Sequence, residues 1–149
     1  MFARVRPGGR RVAKSMHVKR ILLVAEGSSL AHVVRPKRLV DMLARSGFEL
    51  HLAVDPVWRT CLGEIAATVH ENAARSPERL QADLRWMRPI FGPKRLARYL
   101  ADDLALIERV RPDLVVFDFR PTVPIAAALR GVRSVSILNA YHSPFARQV

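Results

Sequence analysis

Only one cysteine, Cys61, stands among the 149 residues. A lone thiol excludes a disulfide framework and a cysteine-based zinc site. The five histidines, His17, His32, His51, His70 and His142, show no metal-ligand spacing such as HExxH, so no metal site is expected. No apolar run approaches the roughly 18 residues that would cross a membrane. The longest, near Ile21–Ala25 and Leu114–Phe117, are strand-length. GxGxxG and GxxxxGK[ST] are missing, which argues against a nucleotide cofactor cradled in this chain. GxSxG is missing too, which argues against an acyl-enzyme serine. The absence of disulfides and spans fits a reducing, cytoplasmic setting.

Acids are missing from the first 20 residues, which hold Arg4, Arg6, Arg10, Arg11, Lys14, Lys19 and Arg20. More than half of the formal net charge of +12 therefore sits in a short N-terminal stretch. That stretch has no periodicity, contains Pro7, Gly8 and Gly9, and lacks the apolar core of a signal peptide. Residues 1–18 read as a disordered basic tail or as the product of a start placed too early, with Met16 as the later start. The remainder is only mildly basic, which argues against a nucleic-acid partner.

What is present is a strand–helix alternation. "RILLVAE", Arg20–Glu26, is a continuous apolar run that reads as a buried parallel strand. Pro36 predicts the first turn of a helix, and Leu39, Val40, Met42 and Leu43 give its apolar face. Gly47 suits its C-terminal cap. Phe48–Val54 reads as a second strand, stopped by Asp55-Pro56. A helical piece over Val57–Leu62 and a weaker strand near Ala67–His70 follow. Ser76 and Pro77 open a helix carrying Leu80, Leu84, Trp86 and Met87. Pro93 opens the clearest helix, with Leu96, Tyr99, Leu100, Leu104, Ile107 and Val110 as its stripe and Pro112 as its stop. Leu114–Phe119 is a strand, "TVPIAAALRG" a short crossover helix, and Ser134–Ala140 the last strand. Trp58 and Trp86 read as packing residues, and His51 and His70 as structural residues in or beside strands.

This alternation predicts an α/β fold, a doubly wound parallel sheet of Rossmann-like type with strand order 3-2-1-4-5. Ligands of such sheets bind at the carboxyl ends of the strands, where strand order reverses. That point lies between the first and fourth strands. His32, in "AEGSSLAHVVRPKRL", follows the first strand, and Asp118 ends the fourth. Asn139, Tyr141, His142 and Ser143, in "NAYHSPF", border the same crevice. A histidine beside a carboxylate is a general-base arrangement, because the carboxylate fixes the ring's tautomer. Ser28 and Ser29 look like hydrogen-bonding or turn residues rather than nucleophiles. Position alone also allows bland roles: a histidine at a helix end and an aspartate in a turn.

"ILLVAEGSSLAHVVRPKRLVDMLARSGFELHLAVDP", "LALIERVRPDLVVFDFRPTVPIAAALRGV" and "SVSILNAYHSPF" carry a resemblance. In that order they resemble the N-terminal half of bacterial glycosyltransferases of the two-Rossmann, GT-B fold. The group is the one related to UDP-glucosyl/glucuronosyltransferases and macrolide glycosyltransferases, and the likeness runs from about residue 19 to 146. It implies an inverting transfer of sugar from a nucleotide-sugar, as co-substrate, to a hydroxylated small-molecule acceptor. His32 matches the family's base, Asp118 the aspartate that holds it, and "NAYHSPF" a loop at the acceptor cleft. The family needs no metal, because the donor's diphosphate is held by a second domain. Ala31 departs from the glycine that often precedes the histidine. Family members continue into that donor-binding domain, so residues 19–149 look like an acceptor-side unit incomplete at its C-terminus. Such a unit would be inactive alone, or would be a non-catalytic small-molecule binder.

Overall fold

The computed structural model describes residues 19–139. Its elements in chain order are β1 (Arg20–Ala25), α1 (Leu30–Leu43), β2 (Glu49–Val54), a 3-10 helix (Pro56–Leu62), β3 (Thr68–Glu71) and α2 (Pro77–Arg85). Then come α3 (Pro93–Val110), β4 (Leu114–Asp118), α4 (Val123–Leu129) and β5 (Arg133–Ile137). The five strands form one sheet in the order β3-β2-β1-β4-β5, and every neighbouring pair is parallel. This is the expected doubly wound order.

The alternation of side chains along β1 divides the core into two layers. Ile21, Leu23 and Ala25 join Leu50, Leu52 and Val54 of β2 beneath Val33 and Val40 of α1. Leu22 and Val24 face the other way, with Ala53, Val115 and Phe117, against Leu106, Ile107 and Val110 of α3 and Val123, Ala126 and Ala127 of α4. Both faces of the central strands are covered, which is why β1 reads as an unbroken apolar run rather than an alternating one. Burying one Val, Leu or Ile side chain contributes about 1.5–3 kcal/mol, so these two layers dominate the stability.

The main departure from expectation lies in α1. The helix starts at Leu30, and Pro36 sits inside it rather than in its first turn. A mid-helix proline leaves the carbonyl of His32 without its usual i+4 donor. The helix tolerates this because Val33, Pro36 and Val40 form its buried stripe against the sheet. It ends at Ala44 in ordinary helical geometry. Gly47 is therefore not its cap; the glycine turns the chain into β2 at φ +72°.

Smaller shifts fall at element ends. Phe119 lies beyond β4, and β5 begins and ends earlier than expected, at Arg133–Ile137. None of the residues of α2 is buried, and Trp86 is 67% exposed, so it is not a packing residue. Trp58 does pack, against the α1 side of the core. Its indole Nε1–H donates to the carbonyl of Gly27 at 2.6 Å. His51 and His70 lie on adjacent strands, Nδ1 to Nε2 at 2.9 Å, with Glu49 3.0 Å from His51. Burial, then the charges of His51 and Arg109, hold His70 below its ordinary value.

Candidate active site

The site is built where β1 and β4 lie side by side, at the reversal of strand order. The register pairs Ala25 with Asp118, and the backbone N–H of Glu26 donates to the Asp118 carbonyl at 3.2 Å. The chain leaving β1 therefore starts α1 directly over the end of β4. Ser29 takes the N-cap position, and its hydroxyl makes no capping bond. His32 falls in the first turn of α1, its N–H donating to the Ser29 carbonyl at 3.3 Å.

His32 Nδ1 lies 2.8 Å from Asp118 Oδ1. The Asp118 carboxylate is fully buried, while the His32 side chain is 15% exposed. The ring is thus anchored at one nitrogen and open to solvent over a small part of its surface. Phe119 stacks on it, with ring centroids 4.7 Å apart and planes within 7°. Phe119 adopts a left-handed backbone, φ +55°, which is rare for a bulky side chain. This turn separates two neighbours: Phe119 covers His32, while Arg120 is driven fully into the core.

Arg35, one turn along α1 from His32, completes the cluster. Its Nη2–H donates to Asp118 Oδ1 at 2.9 Å, and its Nε sits 2.7 Å from Oδ2. The Nη2 contact is a charge-assisted hydrogen bond, while the Nε contact is an ion pair without hydrogen-bond alignment. Its Nη1–H donates to Asn139 Oδ1 at 2.8 Å, which ties the segment after β5 to the same group. Nη2 also lies 2.9 Å from His32 Nδ1. An arginine can only donate, so two tautomers compete. With the proton on Nδ1, His32 donates to Asp118 and its Nε2 carries a free lone pair. With the proton on Nε2, Nδ1 accepts from Arg35 and the ring has no base to offer. The buried carboxylate is the stronger acceptor, and it favours the first arrangement.

A second buried network braces the loops around this dyad. Arg120, fully buried, donates from Nε to Asp103 Oδ1 at 3.2 Å, from Nη1 to Glu26 Oε2 at 3.4 Å and the Ala73 carbonyl at 3.1 Å, and from Nη2 to Asn72 Oδ1 at 3.1 Å. Its guanidinium carbon sits 3.6 Å above the ring of Tyr99. One cation therefore serves two buried carboxylates. Burial pushes Glu26 and Asp103 up from the ordinary carboxylate range, against the pull of Arg120. Burial and the charge of Glu26 push the Tyr99 hydroxyl up to about 12.

Of the residues expected at the site, His32, Asp118 and Asn139 come together. Ser28 is buried, and neither its hydroxyl nor that of Ser29 bonds to the dyad; Ser29 meets His32 only through its backbone carbonyl. Tyr141, His142 and Ser143 lie outside the described residues. The sequence reading missed Arg35, whose signal was its spacing of three from His32 on one helix face. It was hidden by starting the helix at Pro36. It also missed Glu26, Asp103 and Arg120, which look like ordinary surface charges in a one-dimensional reading. Among the described residues, no group of three His, Cys, Asp or Glu side chains is placed to hold a metal ion, and no helix is long and apolar enough to cross a membrane.

No family model matches the chain. Over 130 residues, 87% of its length, the chain is 38% identical to a PGL/p-HBAD biosynthesis rhamnosyltransferase of Mycobacterium bovis, of which it covers 29%. It is 35% identical over the same length to an inactive PGL/p-HBAD biosynthesis glycosyltransferase of Mycobacterium bovis, of which it covers 36%. The chain thus spans about a third of the length of these relatives. Among solved structures, the glycosyltransferase of kitacinnamycin matches with a TM-score of 0.60 at 21% identity, over 80% of this chain and 30% of that one. The Streptomyces glycosyltransferase SsfS6 matches with a TM-score of 0.56 at 25% identity, over 79% of this chain and 38% of that one. The resemblance to part of a GT-B glycosyltransferase therefore holds in sequence and in fold.

Proposed function

We propose that this chain supplies the acceptor-side unit of an inverting glycosyltransferase. It would move a sugar from a nucleotide-sugar, a UDP-sugar in the simplest case, to the hydroxyl of a small-molecule acceptor. The observation that carries the reading is the 2.8 Å contact between His32 Nδ1 and the buried carboxylate of Asp118. Nε2, on the opposite side of the ring, takes the proton of the acceptor hydroxyl as its oxygen attacks the anomeric carbon. The C–O bond to the nucleotide diphosphate breaks with its electron pair, and the diphosphate leaves. Asp118 keeps the ring in the reactive tautomer and offsets the charge it gains. Ser28, Ser29 and Asn139 are assigned to the acceptor side, together with Tyr141, His142 and Ser143, which lie outside the described residues. The donor is held by a second unit, in one longer polypeptide or in a partner subunit.

The experiment is transfer by this chain together with a donor-binding unit, followed with a UDP-sugar and a set of hydroxylated acceptors. General-base catalysis is worth about 100- to 10,000-fold. His32→Ala is expected to lower kcat by at least about 100-fold with the fold intact. Full turnover by that variant would remove His32 from the chemistry.

A non-catalytic acceptor binder is the second reading. It is favoured by the grip of Arg35 on Asp118, which competes for the carboxylate that His32 needs. Under that reading no donor unit restores turnover, and acceptor affinity is unchanged in His32→Ala.

A further inference from the structure

A cleft of about 590 Å³ opens between the loop after β3 and the first turns of α2 and α3. That is within the usual range for a small-molecule site. Arg75, Arg79, Lys94, Arg95 and Arg98 line it together with Tyr99, and no carboxylate does. Asp83 pairs with Arg75, and Asp102 lies 3.8 Å from Arg98 Nε. Among the described residues, no carboxylate forms an ion pair with Arg79, Lys94 or Arg95. Arg75 is 8% exposed, and its buried Nε–H has no partner. Arg75 and Arg95 both donate to one carbonyl, that of Ile90, which crowds two cations at the same spot. Burial, then the charges of Arg95 and Arg79, hold Arg75 below its ordinary value.

The cleft is connected to the dyad by a row of rings. Tyr99, on its wall, meets Phe91 at 6.4 Å between centroids. Phe91 meets Phe119 at 6.2 Å, and Phe119 lies on His32. Phe119 is 40% exposed and Phe91 half-buried, so these two rings present an apolar surface between the cleft and the candidate base.

We propose that the cleft is an anion subsite of the acceptor site, taking the carboxylate or phosphate of an acceptor whose hydroxyl lies at His32, across an apolar spacer on Phe91 and Phe119. This rests on the reading of His32 as the base and names the class of acceptor it serves. Unpaired cations around a half-enclosed space favour an anion over its neutral counterpart, and the ring path favours an aliphatic or aromatic stem.

The test uses the whole chain and two probes that differ only in charge, 12-hydroxydodecanoate and 1,12-dodecanediol, titrated below their aggregation limits. The carboxylate is expected to bind at least tenfold more tightly than the diol. That preference is expected to vanish in Arg79→Ala/Lys94→Ala. Both residues are exposed, so the fold is retained, as a circular dichroism melt would verify. Equal affinity for the two probes, or a preference that survives the double substitution, would overturn the proposal. Binding to phosphatidylglycerol vesicles with no discrimination between the free probes would assign the cations to a membrane surface, and would also overturn it. His32→Ala is expected to keep the charge preference. A charge preference alongside unimpaired transfer by His32→Ala would reject the base assignment and keep the subsite.

Discussion

Asp118 and His32 lie 86 positions apart in the chain and 2.8 Å apart in the fold, carboxylate to Nδ1. The contact follows from the order of the strands. Since β1 neighbours β4, the residue that ends one and the helix that follows the other share a single crevice. Asp118→Asn keeps the volume and removes the charge that fixes the ring. Transfer by the assembled enzyme is expected to fall by about 100-fold or more in kcat, with little change in the acceptor KM. A KM effect alone would make Asp118 a binding residue.

Arg35 hydrogen-bonds Asp118 Oδ1 through Nη2, lies 2.7 Å from Oδ2 with Nε, and reaches Asn139 with Nη1. Arg35→Lys is expected to behave like Arg35→Met, because one ammonium cannot reach Asp118 and Asn139 as the two separate terminal nitrogens of the guanidinium do. Both should lower kcat by about tenfold, less than Asp118→Asn, and both should loosen the segment around Asn139. Hydrogen exchange after β5 would record that loosening. Full function in Arg35→Lys would reduce the contact to simple charge balance.

The buried Arg120 carries two carboxylates. Arg120→Met leaves Glu26 and Asp103 facing each other without a cation, and is expected to cost about 3–5 kcal/mol. Glu26→Gln leaves a one-to-one pair of Arg120 and Asp103, and should cost far less. Urea midpoints of the two variants would rank them; a reversed order would contradict the network.

The same network sets a pH dependence. Glu26 has a folded pKa above its unfolded value near 4.5, so the folded chain binds this proton first. The group's contribution is therefore most favourable below that value and declines as pH rises through the window above it. The stability of wild type relative to Glu26→Gln should accordingly be greater at pH 5 than at pH 7. A difference that does not change with pH would mean that Glu26 is fully ionised throughout.

Gly27 marks a close approach of three loops. A Cβ there would lie 2.6 Å from Asp55 Cβ and 2.8 Å from Ala74 Cβ. Gly27→Ala is expected to cost about 1–3 kcal/mol, since backbone segments must move apart. Gly92→Ala, with nothing within 4 Å of the new methyl, meets no clash and should cost only what alanine loses to glycine as the N-cap of α3. Melting temperatures would compare them.

Much of this was legible in the sequence because periodicity reports burial directly. Ile21–Ala25 and Leu114–Phe117 are apolar at every position because both faces of the central strands are covered, and with the strand–helix alternation and right-handed crossovers that pattern orders the sheet. His32 and Asp118 were legible because the topology places them. Arg35 was not, because Pro36 is a strong helix-start signal, and here it instead lies on the buried stripe between Val33 and Val40. Asp103 was not, because an acid next to Asp102 in a long charged helix looks solvated. Only the three-dimensional position of Arg120, set by the left-handed turn at Phe119, turns that acid into a core residue. Trp86 misled in the other direction. Its size suggests packing, but α2 has no buried face to receive it.

The central claim is that His32 is held with its Nε2 free, and nitrogen-detected magnetic resonance of the ring reads this directly. For the neutral form of the ring the account predicts the proton on Nδ1 and a bare Nε2, and loss of that preference in Asp118→Asn. A proton on Nε2 in the wild-type chain, with Nδ1 accepting from Arg35, would contradict it.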